Sequence, residues 1–240
     1  MNLVIDIGNT LVKAALLKDT KVVEQLKTVY SDKLFKQTEH LLFKCDSCII
    51  SSVTKNSKPF EKKVSSFLKH CIVLNSKTKL PFKNLYKTPL TLGHDRIANA
   101  AAAVKLLSNK NVLVIDAGTC LKFDFVDSKG NYHGGSISPG LSMRFLSLQV
   151  MTGQLPHVTA LPQKQFIGNS TVTAIRAGVQ HGMISEIDGI ISRYKSEFND
   201  VEVILTGGDY RFFANQLKTH IFARPDFTLQ GLNEILKFNL

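Results

Sequence analysis

The sequence predicts an α/β protein of two similar domains, and three observations predict it. Residues 3–10 read LVIDIGNT, an apolar run that delivers Asp6 to a turn of Gly8, Asn9 and Thr10. Residues 111–119 read NVLVIDAGT and repeat the device with Asp116, Gly118 and Thr119. Each copy is followed by a second short strand, LVKAALLK from Leu11 and CLKFDFVD from Cys120, so each reads as a hairpin with its turn at the glycine. Two like hairpins imply two like domains, expected at residues 1–108 and 109–240. The 240 residues suffice for two cores.

The first turn has the outline of a phosphate site. Gly8 lets backbone approach a ligand, Asn9 tolerates tight-turn dihedrals, and Thr10 adds a hydroxyl and an N–H to the same concavity. Asp6 repels phosphate, so its natural partner is a divalent cation carried by the phosphate. Magnesium fits, because it keeps most of its waters and is held through one or two carboxylates. If the two hairpins face each other, both turns and both carboxylates converge on one triphosphate. The chain contains no GxxxxGK[ST] loop, which excludes the Walker arrangement.

Past the first hairpin, residues 21–30 read as a third strand and 31–44 as a helix capped by Ser31 or Asp32. Residues 48–54 form a strand, and 58–70 a helix with Phe60, Val64, Phe67 and Leu68 on one face. Residues 71–75 form another strand. The pattern lapses over 77–92, a loop punctuated by Pro81 and Pro89. That loop enters TLGHDRIANAAAAVKLL, whose alanine run permits close packing and places Gly93, His94, Asp95 and Arg96 at the mouth of a helix. Asp95 has a plain explanation as a cap favoured by the macrodipole, worth about 0.5–2 kcal/mol. Arg96 and Gly93 beside it allow another: the forked cation holds an anionic substrate while Asp95 receives the proton of its attacking hydroxyl.

In the second half Leu121, Phe123 and Phe125 alternate with Lys122, Asp124 and Asp127, and SKGN turns the chain into YHGGSISPGL. Gly134, Gly135 and the Pro139-Gly140 pair bring backbone close to a neighbouring strand or to a ligand. Residues 142–150 read as a helix with Met143, Phe145, Leu146 and Leu148 in the core. Residues 171–198 read as a long helix with a stripe of Ile175, Val179, Met183, Ile184, Ile187 and Ile191, starting at Thr171, whose hydroxyl can cap or touch a ligand. EVILTGGD is a strand ending in a glycine pair, and residues 228–238 close the chain with a helix.

The net charge of +11, from 30 Lys and Arg against 19 Asp and Glu, admits either nucleic acid or small anionic substrates. The lysines form no dense run and carry no aromatic interleaving, so a solvated surface is the reading and nucleic acid is not expected. No leader and no stretch of membrane-spanning length is recognised, so a cytoplasmic location is expected. Cys45 and Cys48 form a CxxC without a second pair, and Cys48 starts an apolar strand, which favours burial over metal or redox work.

The paired hairpins resemble the actin, sugar kinase and heat-shock chaperone ATPase superfamily. That resemblance implies two ribonuclease-H-like domains facing across a nucleotide cleft. DIGNT, GxDR before an alanine-rich helix, DAGT, GGSISPGL and LTGGD, in that order, resemble more narrowly the type III pantothenate kinases. The resemblance covers residues 6 to about 209 and implies transfer of the ATP γ-phosphoryl to pantothenate, the first step of coenzyme A synthesis. It implies that Asp6, Ile7, Gly8, Asn9, Thr10, Leu11, Val12 and Lys13 form the ATP phosphate loop, with Thr119 a further ATP contact. It gives Gly93, His94, Asp95 and Arg96 to pantothenate, with Asp95 as general base and Tyr86 and Thr171 as further contacts. Asp6 would meet Mg2+ through water, and Asp116 a monovalent cation, K+ or NH4+. A homodimer is implied as well. Lys122 departs from the family pattern, which commonly has a small or hydroxylated residue there, and that departure puts the monovalent cation in question. Alternatives left open by the residues are kinase chemistry on another hydroxy acid, and a regulatory or nucleic-acid-binding protein on the same ATPase fold without kinase activity.

Overall fold

The structure is a computed structural model that describes residues 1–240, Lys55 by its backbone alone. In chain order its elements are β1 (Asn2–Ile7), β2 (Val12–Lys18), β3 (Lys21–Thr28), α1 (Leu34–Leu42), β4 (Ser47–Ser52), α2 (Lys58–Phe67), β5 (His70–Val73), β6 (Lys83–Asn84) and α3 (His94–Leu106). The chain continues with β7 (Asn111–Ala117), β8 (Cys120–Val126), β9 (Asn131–Pro139), α4 (Leu141–Met151), α5 (Thr171–Glu197), β10 (Val201–Thr206), α6 (Tyr210–Ala214), β11 (Phe222–Ala223) and α7 (Phe227–Phe238). Two compact units result. The first holds residues 1–109, 130–132 and 226–240, the second residues 110–129 and 133–225. A single cut at 108/109 therefore does not describe them, because the C-terminal helix joins the first unit.

The first unit is built on a sheet of order β3-β2-β1-β4-β5. β1, β2 and β3 are antiparallel neighbours joined by tight turns, and β4 and β5 add in parallel after helical crossovers. Leu3, Ile5, Ile7, Cys48 and Ile50 face α1 and α2, which return Leu34, Leu41, Leu42, Phe60 and Val64. α7 packs on β1 and β4 and against α3. Two polar pairs pin it: Thr228 Oγ1 donates to Asn99 Oδ1 at 2.9 Å, and Asn2 Nδ2 donates to Asn233 Oδ1 at 2.8 Å. β6 pairs in parallel with Asn131 and Tyr132, the first residues of β9.

The second unit has the order β11-β10-β7-β8-β9, strand for strand the arrangement of the first. β7 and β8 are antiparallel, and β10 and β11 add in parallel. Its core joins Leu113, Ile115, Leu121 and Phe123 of the sheet to Ile175, Val179, Met183, Ile187 and Ile191 of α5. Both units thus carry the duplicated α/β architecture that the paired hairpins predicted.

Several local expectations need correction. α1 starts at Leu34 with Lys33 at its N-cap and no side-chain cap; Ser31 contributes only its carbonyl, to Leu34 N–H at 2.9 Å. Phe67 is exposed and meets Phe35 and Phe43 edge-on rather than joining the core. Met143 and Leu146 are also exposed, and of the four apolar residues expected inside only Phe145 is fully buried, with Leu148 packed against the core. Asp124, expected on the polar side of β8, is buried, because that face is covered too. Among the described residues no helix is long and apolar enough to cross a membrane.

Candidate active site

The first unit carries most of the expected residues. Asp6 leaves β1 next to Ser51 of β4, its direct partner in the parallel ladder, and Ser51 Oγ donates to Asp6 Oδ1 at 3.0 Å. The turn closes with Gly8 N–H donating to Leu11 O at 3.0 Å, which leaves Asn9, Thr10 and Leu11 exposed at its tip. Lys13 returns opposite Asp6 across the antiparallel ladder. Ile7 and Val12 are completely buried in the core, so only their backbone is available to a ligand.

α3 presents the second group. Gly93 is the N-cap, in extended conformation and without a side chain to cap, and its carbonyl accepts from Ile97 N–H at 3.1 Å. Asp95 is therefore a first-turn residue and not the cap. Its Oδ1 accepts the Arg96 backbone N–H at 2.8 Å, one of the amides that a helix start leaves without an intrahelical partner. A Cβ at position 93 would stand 2.7 Å from that same oxygen, so the glycine makes room for the carboxylate. Arg96 is 4% exposed, and its guanidinium carbon lies 5.3 Å from the centroid of the Tyr86 ring. Tyr86 is held in turn, its N–H donating to Asn84 Oδ1 at 2.9 Å and its ring 6.2 Å from that of Tyr132. Three of the expected substrate residues, Tyr86, Asp95 and Arg96, are thus gathered by two short segments.

His94 sits half-buried beside them. Burial pulls its pKa below 6.5 against opposing contributions from Asp95 and the Ser52 backbone, which favours the neutral imidazole, and Nδ1 is buried without a hydrogen-bond partner. Ser52 also borders a feature that sequence reasoning missed. A cavity of about 220 Å³ lies past the C-terminal ends of β4 and β5, lined by Ser52, Val53, Thr54, Lys58, Glu61, Val73 and Leu74. Ligands of open α/β sheets favour such strand ends. The only sequence signal was the polar run that follows the apolar part of β4.

In the second unit Asp116 ends β7, and Lys122 stands directly opposite it in the antiparallel ladder. Lys122 Nζ lies 2.7 Å from Asp116 Oδ2, with the two side chains only 13% and 10% exposed. Thr119 is at the exposed tip of the turn, held by Gly118 N–H to Cys120 O at 3.1 Å. Gly140 N–H donates to Thr119 O at 3.2 Å, and a Cβ at position 140 would fall 2.3 Å from the carbonyl oxygens of both Gly118 and Thr119. Gly140 thus serves close packing on the DAGT turn, whereas Gly135 lies against the β8 backbone, where a Cβ would fall 1.7 Å from Phe123 O. A polar clamp fixes this contact: Arg144 donates to Pro139 O at 2.8 Å and Ser138 Oγ at 3.1 Å and pairs with Glu186, which also accepts from Ser138 Oγ at 2.6 Å. The pair is far apart in sequence, and no motif announced it.

Thr171 is the first residue of α5 and exposed, but it does not cap the helix. Ser170 and Thr173 do so reciprocally, Thr173 N–H donating to Ser170 Oγ at 3.3 Å and Ser170 N–H to Thr173 Oγ1 at 2.9 Å. At the other glycine pair Asp209 N–H donates to Ala117 O at 2.9 Å, and burial raises the pKa of the Asp209 carboxyl. Among the described residues no three metal-ligating side chains cluster.

Comparisons with known proteins agree with this picture. The sequence pattern of the type III pantothenate kinases matches residues 2–193. The type III pantothenate kinase of Christiangramia forsetii is 45% identical over 245 residues, covering 100% of this chain and 99% of its own. Among solved structures, a conserved candidate Baf family transcriptional activator from Campylobacter jejuni superposes with TM-score 0.60 at 23% identity, covering 99% of this chain and 98% of that one. An inorganic polyphosphate/ATP-glucomannokinase from Arthrobacter sp. strain KM gives TM-score 0.51 at 13% identity, covering 99% and 98%. At such identities these structures speak to the fold alone, which is that of the actin-like ATPases and sugar kinases. With a pattern match over most of its length and a relative 45% identical from end to end, this chain belongs to the type III pantothenate kinase family.

Proposed function

We infer that this chain transfers the γ-phosphoryl group of ATP to pantothenate, giving 4'-phosphopantothenate for coenzyme A synthesis. The observation that carries the reading, beyond family membership, is the grouping of Tyr86, Asp95 and Arg96 at the start of α3. In this reading Arg96 holds the pantothenate carboxylate, its fork oriented by the Tyr86 ring, and Gly93 and His94 shape the same pocket. Thr171 is a further pantothenate contact. Asp95 is the general base. An ordinary carboxylate, with pKa about 4, is a poor base for a free alcohol. Phosphoryl transfer has a loose transition state, so the hydroxyl becomes acidic as the phosphoryl engages it and Asp95 accepts the proton late.

ATP phosphates meet the turn of residues 6–13, with backbone N–H groups and the Thr10 hydroxyl as donors and Lys13 as a cation. Thr119 is a further ATP contact. Mg2+ fits at Asp6: a carboxylate at a strand end, steadied by Ser51, suits an ion carried by phosphates and water. When bound, Mg2+ neutralises charge that develops on the phosphates. A monovalent cation at Asp116 does not fit, because the Lys122 ammonium already lies against that carboxylate. A homodimer is supported by the apolar side chains left in solvent on α4 and after it, among them Leu146, Val150, Met151, Phe166 and Ile167. A cytoplasmic location follows from the reaction, which draws on cellular ATP. The nucleic-acid-binding alternative is not favoured.

The direct test is ADP release coupled to pantothenate. Turnover that needs both Mg-ATP and pantothenate is expected; ADP release indifferent to pantothenate would overturn the substrate assignment.

A further inference from the structure

Asp116 and Lys122 face each other across a ladder that brings their side chains to the same side of the sheet. The contact at 2.7 Å is nearly closed to water, the lysine 13% and the aspartate 10% exposed. A carboxylate so placed requires a cation within contact distance, since leaving it unpaired carries the full cost of desolvation. Its other surroundings are crowded. A Cβ on Gly207, whose φ is +96°, would lie 2.6 Å from Asp116 Oδ1 and 2.3 Å from Ala117 O, and one on Gly118 would lie 3.4 Å from Oδ1. The carboxylate is therefore wedged between the Gly118-Thr119 turn and the Gly207-Gly208 turn of one unit. The ammonium group delivers its positive charge to that junction.

We propose that Lys122 Nζ is the monovalent cation of this site, a tethered ammonium ion that replaces a dissociable K+ or NH4+. The proposal rests on the kinase reading above and deepens it. A primary ammonium is a compact point charge with three donors, chemically the closest side-chain equivalent of a free ammonium ion. Tethering also matters. A cation bound to the neighbouring strand is present at an effective concentration that no millimolar salt competes with. The site consequently needs no cation from solution, and added K+ finds its ligand taken.

The test compares wild type with Lys122→Gln and Lys122→Met in KCl, NH4Cl, NaCl and choline chloride at equal ionic strength. Two quantities are read, pantothenate-dependent ADP release and the melting temperature without substrates. Wild type is expected to show the same turnover and the same melting temperature in KCl and choline chloride. Lys122→Gln is expected to lose about a hundredfold in choline chloride, the scale of removing one charge-stabilising group from a reaction site. It should recover in KCl or NH4Cl, with its melting temperature rising in those salts only. A lysine that merely braced the sheet would give no ion-specific rescue. A wild type that turns over only with K+ overturns the proposal, as do variants that respond to no cation in either quantity. Should both variants fail to fold, the wild-type salt comparison still decides. If no protein releases ADP with pantothenate in any salt, the kinase reading fails, and the ion-specific melting shift of the variants alone judges Lys122.

Discussion

Replacing Gly231 with alanine tests whether α7 belongs to the unit that carries the substrate residues. The new Cβ would stand 1.8 Å from Ala98 O, 2.5 Å from Ala98 C and 3.2 Å from Ala102 Cβ, two of them backbone atoms of α3. Ordinary carbon contacts begin near about 3.5 Å, so the helices must part by more than ~1 Å. Overpacking of this kind costs about 3 kcal/mol at the upper end of the usual range. Alanine in a helix recovers ~1 kcal/mol of that relative to glycine. The net loss of ~2 kcal/mol lowers the melting temperature by about 4–8 °C in a chain of this size. Gly189→Ala is the control, a helical glycine in α5 whose added Cβ would meet nothing within 4 Å. It should gain up to ~1 kcal/mol. Thermal unfolding by circular dichroism reads both. Because α3 carries Asp95 and Arg96 on its first turn, Gly231→Ala should also raise KM for pantothenate. A Gly231→Ala protein that melts at or above wild type would refute the packing argument, whatever Gly189→Ala does.

Two further outcomes follow from titrating groups of the first unit. Burial depresses the pKa of His94 below 6.5, so between the two values the unfolded chain binds a proton that the folded chain does not. The stability tied to His94 is complete above the unfolded value and is lost as pH falls through the folded one. Urea midpoints at pH 7.5 and 5.5 should differ more for wild type than for His94→Gln, and equal differences would contradict this. Cys71 has its thiol pKa lowered from 9.0 to about 7, chiefly by a hydrogen bond from Cys48 and further by Ser65, against the effect of burial. Its alkylation by iodoacetamide, followed by mass spectrometry, should rise through a midpoint near pH 7. In Cys48→Ala the midpoint should move upward.

Much of this was legible in the sequence because short motifs sit at strand ends, where periodicity and glycine are informative. LVIDIGNT and VLVIDAGT gave both hairpins and both carboxylates, and the longer strands after each hairpin followed from alternation and length, whereas the two-residue strands β6 and β11 did not. GHDR before an alanine run placed Asp95 and Arg96 at the mouth of a helix, although the helix starts at His94 and Gly93, not Asp95, is its cap. What escaped was tertiary. Ser51 reaches Asp6 from a strand 45 residues away, and Arg144 reaches Glu186 across 42 residues, with no local pattern to mark either pair. α7 joins the first unit through Gly231, which in sequence reads only as a weak point in a helix. Met143 and Phe67 follow an apolar helical period yet lie in solvent, since periodicity names a face without saying what covers it. Lys122 was visible as a departure, but only the register of β7 and β8 places it on Asp116.

The central claim is that Asp95 takes the proton from pantothenate during phosphoryl transfer. Asp95→Asn tests it most directly, being nearly isosteric and able to accept the Arg96 backbone N–H as the aspartate does. Pantothenate-dependent ADP release should fall by about 10²–10⁴-fold in kcat, with KM for pantothenate and the melting temperature close to wild type. An asparagine variant that turns over as fast as wild type would contradict the account.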